Sequence, residues 1–233
     1  MHSKIIGCAS VLALFAFSVC AQSQPQSSDA PKQFFPAVEA YVPLKGDVRL
    51  YFLFTTTRSV ETRSNQEGQL GAHVDYTVNK HLVLRAGYRY GFSLTEEDPF
   101  TEHRPLTEQT IRQELPIGIL LTDRNREEFR FVNGDFSFRY RNRLMFEREF
   151  RVRERSISPY ASVEVFHDSR FDVWNRNRLI VGTVIQLKKA FPLVRFVIPR
   201  KQLLLDVYYS KQNDSRSEPH HIHAVGTTLV IHF

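Results

Sequence analysis

Apolar and polar residues alternate along most of this chain. Between Asp47 and Thr57, Val48, Leu50, Phe52 and Phe54 fall on one face, while Arg49, Tyr51 and Thr55 fall on the other. Leu70, Ala72, Val74, Tyr76 and Val78 repeat the pattern against Gln69, Gly71, His73, Asp75 and Thr77. A third segment sets Leu82, Leu84, Ala86, Tyr88, Tyr90 and Phe92 against Arg85, Gly87, Arg89 and Gly91. A period of two belongs to the β-strand, whose successive side chains point to opposite faces. Glycines set against aromatics suit a crowded or strongly curved inner face. Further strands are expected near 105–117, 119–131, 136–150, 157–168, 174–187, 202–213 and 220–233. With a first segment from Pro36 the set numbers eleven.

Strand length separates two architectures. Strands of soluble proteins average about 5–6 residues, whereas tilted strands that cross a membrane need roughly 9–11, and most of these segments reach the longer figure. Short connections at Lys45-Gly46-Asp47 and Asn79-Lys80 alternate with long polar ones at 58–68 and 93–105. This predicts an all-β fold, a transmembrane antiparallel up-and-down β-barrel of about 10–12 strands over residues 35–233. Bacterial single-chain barrels have even strand numbers, so eleven implies ten or twelve. A soluble sandwich or lipocalin-like barrel has the same alternation with inside and outside exchanged. One stretch, Asp123-Arg124-Asn125-Arg126-Glu127-Glu128, offers no apolar face in either register.

The two ends of the chain favour the membrane. Met1 to Lys4 is a short basic start, Ile5 to Cys20 is apolar, and the chain is polar from Gln22 through Gln33. That is the plan of a secretory signal peptide over 1–21, cleaved after Ala21, followed by a polar segment over 22–34. The apolar run is shorter than the roughly 20 residues that span a bilayer. Val19 is a poor neighbour for an acylated Cys20. Cys8 and Cys20 leave with the leader, which removes disulfides, thiolate metal sites and cysteine nucleophiles together. At the other end Leu229, Ile231 and Phe233 alternate up to the last residue. This resembles the terminal strand read by the bacterial barrel-assembly machinery, although Thr228 stands where that pattern has glycine and Gly226 lies two residues earlier. An outer-membrane location and the assembly machinery as a partner are the expectations.

Composition narrows the classes further. Hydrophobic residues make up 42% and charged residues 24%, which excludes a polytopic helical membrane protein. Nineteen Phe and nine Tyr exclude a disordered chain. The formal charge of +6 falls to +5 once Lys4 is lost. No nucleic-acid motif accompanies that charge, and an exported protein meets anionic lipid and lipopolysaccharide instead. Arg170 and Arg216, in polar connections, would face lipopolysaccharide phosphates.

The outstanding chemical feature is arginine on one face of consecutive strands. Arg124 and Arg126 precede Arg139, Arg141 and Arg143, which run on to Glu147. Glu164, Arg176 with Arg178, and Asp206 follow on later segments. Arg-Asn-Arg occurs at 124–126, 141–143 and 176–178, and Asp-Ser-Arg at 168–170 and 214–216. Guanidinium matches carboxylate with paired hydrogen bonds, so such residues form an ionic ladder that fills a narrow lumen. Left unpaired, they would make an anion-selective constriction or an anion site. A Ser–His hydrolase would draw on His167, Asp168 and Ser169, or on His73 and Asp75 with Ser162 or Ser210. Adjacent residues on a strand diverge, however. His221 and His223 share a face at a bidentate spacing, with His220 beside them, but no third metal ligand is evident. The pattern requires no cofactor, metal or catalytic residue.

The segments "DRNREEFRF", "GDFSFRYRNRLMFEREF", "SPYASVEVFHDSRFDVWNRNR" and "LLLDVYYSKQNDSRS" resemble the outer-membrane barrel family catalogued as domain of unknown function 2490. The resemblance runs from about Phe35 to Phe233 and is strongest after Thr122. It implies the barrel fold and transfers no catalytic or ligand residue. The apolar stretch 191–199 departs from a short turn and is expected to lie at the membrane surface as a periplasmic turn. The function expected is a non-enzymatic structural barrel or narrow pore with an Arg/Glu-lined interior; the alternative is a lipid-modifying enzyme at the extracellular rim.

Overall fold

The computed structural model describes residues 31–62, 65–96, 99–153, 155–187 and 202–233. The expected leader over 1–21 with its expected cleavage point, the polar segment as far as Ala30, and the stretch 191–199 lie outside them. The strands are β1 (Lys32–Pro43), β2 (Val48–Ser59), β3 (Asn65–Thr77), β4 (Leu82–Ser93), β5 (Thr101–Leu115), β6 (Ile119–Val132), β7 (Asp135–Arg148), β8 (Phe150–Val152), β9 (Arg155–Asp168), β10 (Val173–Leu187), β11 (Gln202–Asp214) and β12 (His221–His232). Sequential neighbours pair antiparallel, and the three-residue β8 pairs with the foot of β9 while β7 pairs with its upper part. The long strands therefore make eleven staves.

The expected even number does not hold. β1 and β12 run in the same direction and close the barrel as a parallel pair, from Lys32↔His223 to Tyr41↔His232. Backbone hydrogen bonds extend the seam at both ends, from His223 N to Pro31 O (3.2 Å) and from Phe233 N to Tyr41 O (2.8 Å). An odd number of antiparallel staves must meet at one parallel seam. It also leaves Lys32 and Phe233 at opposite ends of the barrel.

One end carries the short turns at 44–47 and 78–81 and the chain terminus. The other carries the ends of β2, β4, β6, β9 and β11, with the connections 133–134, 169–172 and 215–220. We call them the turn end and the loop end. The loop-end connections are shorter than their polarity predicted, because β3 and β5 start inside the supposed loops. In a barrel with an ionic interior, polar residues continue strands as readily as they fill loops. At 133–134 the connection is two residues, Asn133 (φ 51°) and Gly134 (φ 95°), the positive-φ pair that a tight hairpin needs.

Burial is inverted relative to a soluble protein. Phe52, Phe54, Leu70, Val74, Tyr76, Phe146, Val163, Leu179, Val181 and Val225 are exposed on the outside. Asp75, Glu128, Glu164 and Asp168 are fully buried inside. Water on both faces would reverse this arrangement; hydrocarbon outside and a polar lumen produce it. Small residues shape the inner wall. Tyr208 lies across Gly226 so closely that a Cβ there would sit 2.0 Å from its Cζ. That packing explains why glycine stands at 226, with Thr228 a pleat further on in the same inner row.

Candidate functional site

The interior of β5, β6, β7, β9 and β10 is a continuous ionic core. β6 turns Arg124, Arg126, Glu128 and Arg130 inward, and β7 turns in Arg139, Arg141 and Arg143, in the register Arg126↔Arg141 and Glu128↔Arg139. β9 supplies Glu164, Phe166 and Asp168, and β5 supplies Glu102, Arg104 and Glu108. Like charges stand directly opposite across the β6–β7 ladder at Arg124↔Arg143 and Arg126↔Arg141. Carboxylates from the flanking strands interleave with them, and that makes the arrangement stable.

Glu128 is the hub. It has no exposed surface and accepts a hydrogen bond from Arg141 Nη1 at 2.9 Å. Arg126, Arg104 and Arg139 approach it at 3.8, 3.9 and 3.9 Å. Glu164 binds Arg141 at 2.8 Å and Arg124 at 2.9 Å, the latter reaching past β7 from β6, with Arg178 at 3.7 Å. Glu108 accepts from Arg126 Nε at 2.7 Å. Glu102 takes both Arg104 and Arg130, and Asp168 holds Arg139 at 3.1 Å and Arg170 at 2.8 Å. Phe166, 2% exposed, lies beneath the guanidiniums of Arg141, Arg178 and Arg176 at 4.8, 5.4 and 5.6 Å from its ring centre. Long arginine stems fill the width of an eleven-stave lumen that shorter side chains would leave open.

A second cluster occupies the wall of β2–β4. Asp75 binds Arg49 at 2.8 Å and Arg85 at 2.5 Å. Buried Arg89 reaches only the ring of His73, with 3.4 Å between their nitrogens, and has no carboxylate within 4 Å among the described residues. Nearer the turn end a cavity of about 240 Å³ is lined by Arg49, Arg85, Arg112, Arg124 and Arg143 against Glu108.

The structure brings Arg124, Arg126, Arg139, Arg141, Arg178 and Glu164 into one network. Arg176 pairs instead with Asp214 at 2.6 Å. Arg143 faces Met145 Sδ at 3.3 Å, and its buried Nε has no partner. Asp206 accepts from Tyr160 Oη at 3.0 Å, and Glu147 has no ion pair among the described residues. The sequence reading did not include Glu102, Arg104, Glu108 and Arg85 among the site residues. Their signal was there, in the period-two spacing of 102, 104 and 108.

The repeated triplets now have a physical meaning. Each Arg-Asn-Arg directs its arginines into the lumen and its asparagine outward. Asn125 and Asn142 face each other on β6 and β7, and Asn177 faces Asn213 on β10 and β11. The stretch 123–128 that lacked an apolar face thus places Asp123, Asn125 and Glu127 outside at mid-strand. Asn142 Nδ2 donates to Asp123 at 2.6 Å and to Asn125 at 3.0 Å, and Thr107 Oγ1 donates to Glu127 at 2.8 Å. Each Asp-Ser-Arg closes a loop-end turn: Asp168 accepts from Arg170 N (3.1 Å), and Asp214 from Arg216 N (3.0 Å).

The hydrolase candidates diverge. His167 points outward, 3.7 Å from Asp172, while Asp168 points inward and is occupied by arginines. Ser169 Oγ accepts from Phe138 N at 2.8 Å. No hydrogen bond among the described residues joins a histidine to a serine, and Ser162 Oγ is buried without a partner. His221 and His223 do share the outer face but bind Asn213 (2.9 Å) and Tyr209 (2.5 Å). His220 turns to Asp214 O at 3.0 Å.

Among curated proteins none matches the chain. Among solved structures it is similar to LpxR from Salmonella typhimurium, with a TM-score of 0.49, 9% identity and coverage of 79% of this chain and 83% of that one. It is also similar to the beta domain of the Bordetella autotransporter Brka, with a TM-score of 0.43, 14% identity and coverage of 79% and 82%. The model of the family described as "Protein of unknown function (DUF2490)" matches residues 33–221, the whole span from the first strand to the start of the last, and the chain belongs to that family.

Proposed function

We propose that this protein is a non-enzymatic outer-membrane barrel sealed by its own ionic core. The observation that carries the reading is Glu128: a carboxylate without exposed surface, surrounded by four guanidiniums from three strands. An anion-conducting constriction needs arginines with unfilled valence facing water. Here most of the core's guanidiniums already hold a carboxylate, and the carboxylates are buried with them. The chain enters the outer membrane after loss of the leader at Ala21. Its terminal strand, ending in Phe233, is the element offered to the barrel-assembly machinery. The loop end faces the lipopolysaccharide leaflet, where exposed Arg216 reaches phosphate while Arg170 is already held by Asp168.

Single-channel recording of the folded protein in a planar bilayer tests the reading. Silence is expected from protein whose folding is verified by its gel mobility. Stable, anion-preferring steps would overturn it and assign the arginine core to a pore.

A further inference from the structure

The barrel's outer wall carries a second polar feature that the sealed lumen does not use. Near the loop end a groove of about 740 Å³ lies between β9, β10, β11 and the 215–220 turn. Its outward-facing walls are Val165, Trp174, Asn177, Asn213 and His221, closed above by Ser215 and His220. Arg176 and Asp214, at its inner boundary, neutralise each other at 2.6 Å. The groove therefore presents amides, imidazoles and an indole, with no unpaired charge.

A β-bulge between Trp174 and Arg176 shapes this place. Bulges re-aim side chains, and here the extra residue is Asn175. It is 5% exposed, and its Nδ2 donates to Asp214 Oδ1 at 3.1 Å. Its Oδ1 is buried with no hydrogen-bond partner. A buried amide oxygen left unpaired is costly, and Asn175 borders the groove, so a donor entering there from outside the chain would relieve that cost. Beside it Trp174 is 58% exposed, held edge-on by Tyr140 and His167 at 5.9 and 5.6 Å between ring centres. Asn213 Nδ2 donates to Asn177 Oδ1 at 3.0 Å, and both amides line the groove.

We infer that this groove binds the sugar head group of an outer-leaflet glycolipid. Amides offer donor and acceptor together, as hydroxyl groups require. An exposed indole suits the C–H face of a sugar ring. No unpaired cation stands among the lining residues, Arg216 of the neighbouring turn not being one of them, which disfavours phosphate as the group recognised inside the groove. Val165 continues the groove onto the apolar wall, where an acyl chain would lie. The inference rests on the proposed placing of the loop end at the outer leaflet, and not on whether the lumen conducts.

Trp174 is the only tryptophan in the chain, so its fluorescence reports this site alone. The folded protein is placed in phosphatidylcholine vesicles containing rising fractions of glucosyl-diacylglycerol. A saturable change in Trp174 emission is expected, with no such change for phosphatidylglycerol. Asn175→Ala should weaken the response about tenfold, the effect of losing one buried hydrogen bond. Asn177→Leu, on the exposed wall, should do the same without disturbing the fold, as judged by gel mobility. An unsaturable response, an equal response to phosphatidylglycerol, or unchanged responses in both variants would overturn the inference. Saturation by methyl glucoside alone at comparable concentration would assign the groove to a free sugar and overturn the lipid assignment.

Discussion

Replacing Glu128 by Gln removes one charge from the centre of the core and almost no volume. The variant keeps an oxygen that can accept from Arg141, now 2.9 Å from the carboxylate, but loses the attraction holding Arg126, Arg104 and Arg139 within 4 Å. Breaking a buried ion pair costs about 3–5 kcal/mol. The lower end applies, because each of these arginines keeps a second carboxylate: Glu164, Glu108, Glu102 and Asp168 respectively. A loss of about 3 kcal/mol corresponds to a fall of somewhat over a hundredfold in the folding equilibrium constant. Urea unfolding of the vesicle-inserted protein, followed by the mobility difference between folded and unfolded forms on gels, measures it. Glu127→Gln is the internal control. It is the next residue along and bears the same charge, but it points outward to Thr107, and the expected change is below about 1 kcal/mol. Equal effects at 127 and 128, or a Glu128→Gln cost below about 1 kcal/mol, would refute the ionic-core account.

Other consequences are equally direct. Gly226→Ala should destabilise the barrel by about 1–3 kcal/mol, because its Cβ would sit 2.0 Å from Tyr208 Cζ and the ring must shift; in a Tyr208→Ala background the same change should cost less, as read by urea unfolding on gels. The parallel seam places Val38 beside Leu229, both on the outer face. A Val38→Cys, Leu229→Cys pair should therefore oxidise to a disulfide in the folded protein, since adjacent strands hold Cα atoms about 5 Å apart. Failure of that pair to crosslink would refute the eleven-stave closure. The urea midpoint should change little between low and molar salt, because the ion pairs are shielded from solvent. Arg151→Ala, at an exposed pair with Glu149 (3.7 Å), should alter stability by less than about 1 kcal/mol.

Much of the barrel is legible along the chain, because strand periodicity is local. Tyr51 and Phe52, or Glu127 and Glu128, separate to opposite faces by pleat geometry alone, whatever the rest of the chain does. Arginines at 139, 141 and 143 must share a face for the same reason, and so must glycine and aromatic positions in alternation. Loop boundaries are less legible, since polarity marks a loop only where the protein interior is apolar. The same pleat turns His167 and Asp168 to opposite faces.

The sequence by itself determined the strands, the two faces of each, and the large charge that one face carries. It did not determine how many staves close the barrel, because closure depends on which edge meets β1. That pairing joins residues almost two hundred positions apart with no local mark. Nor did it determine which arginine meets which carboxylate. Arg124 lies nearer Glu164 than Glu108 because the staves curve around a lumen and bring β6 and β9 within reach. The asparagines of the repeated triplets come to lie opposite one another outside only once register is set. Facing is a property of the residue and its neighbours; pairing is a property of the closed sheet, and only the tertiary structure decides it.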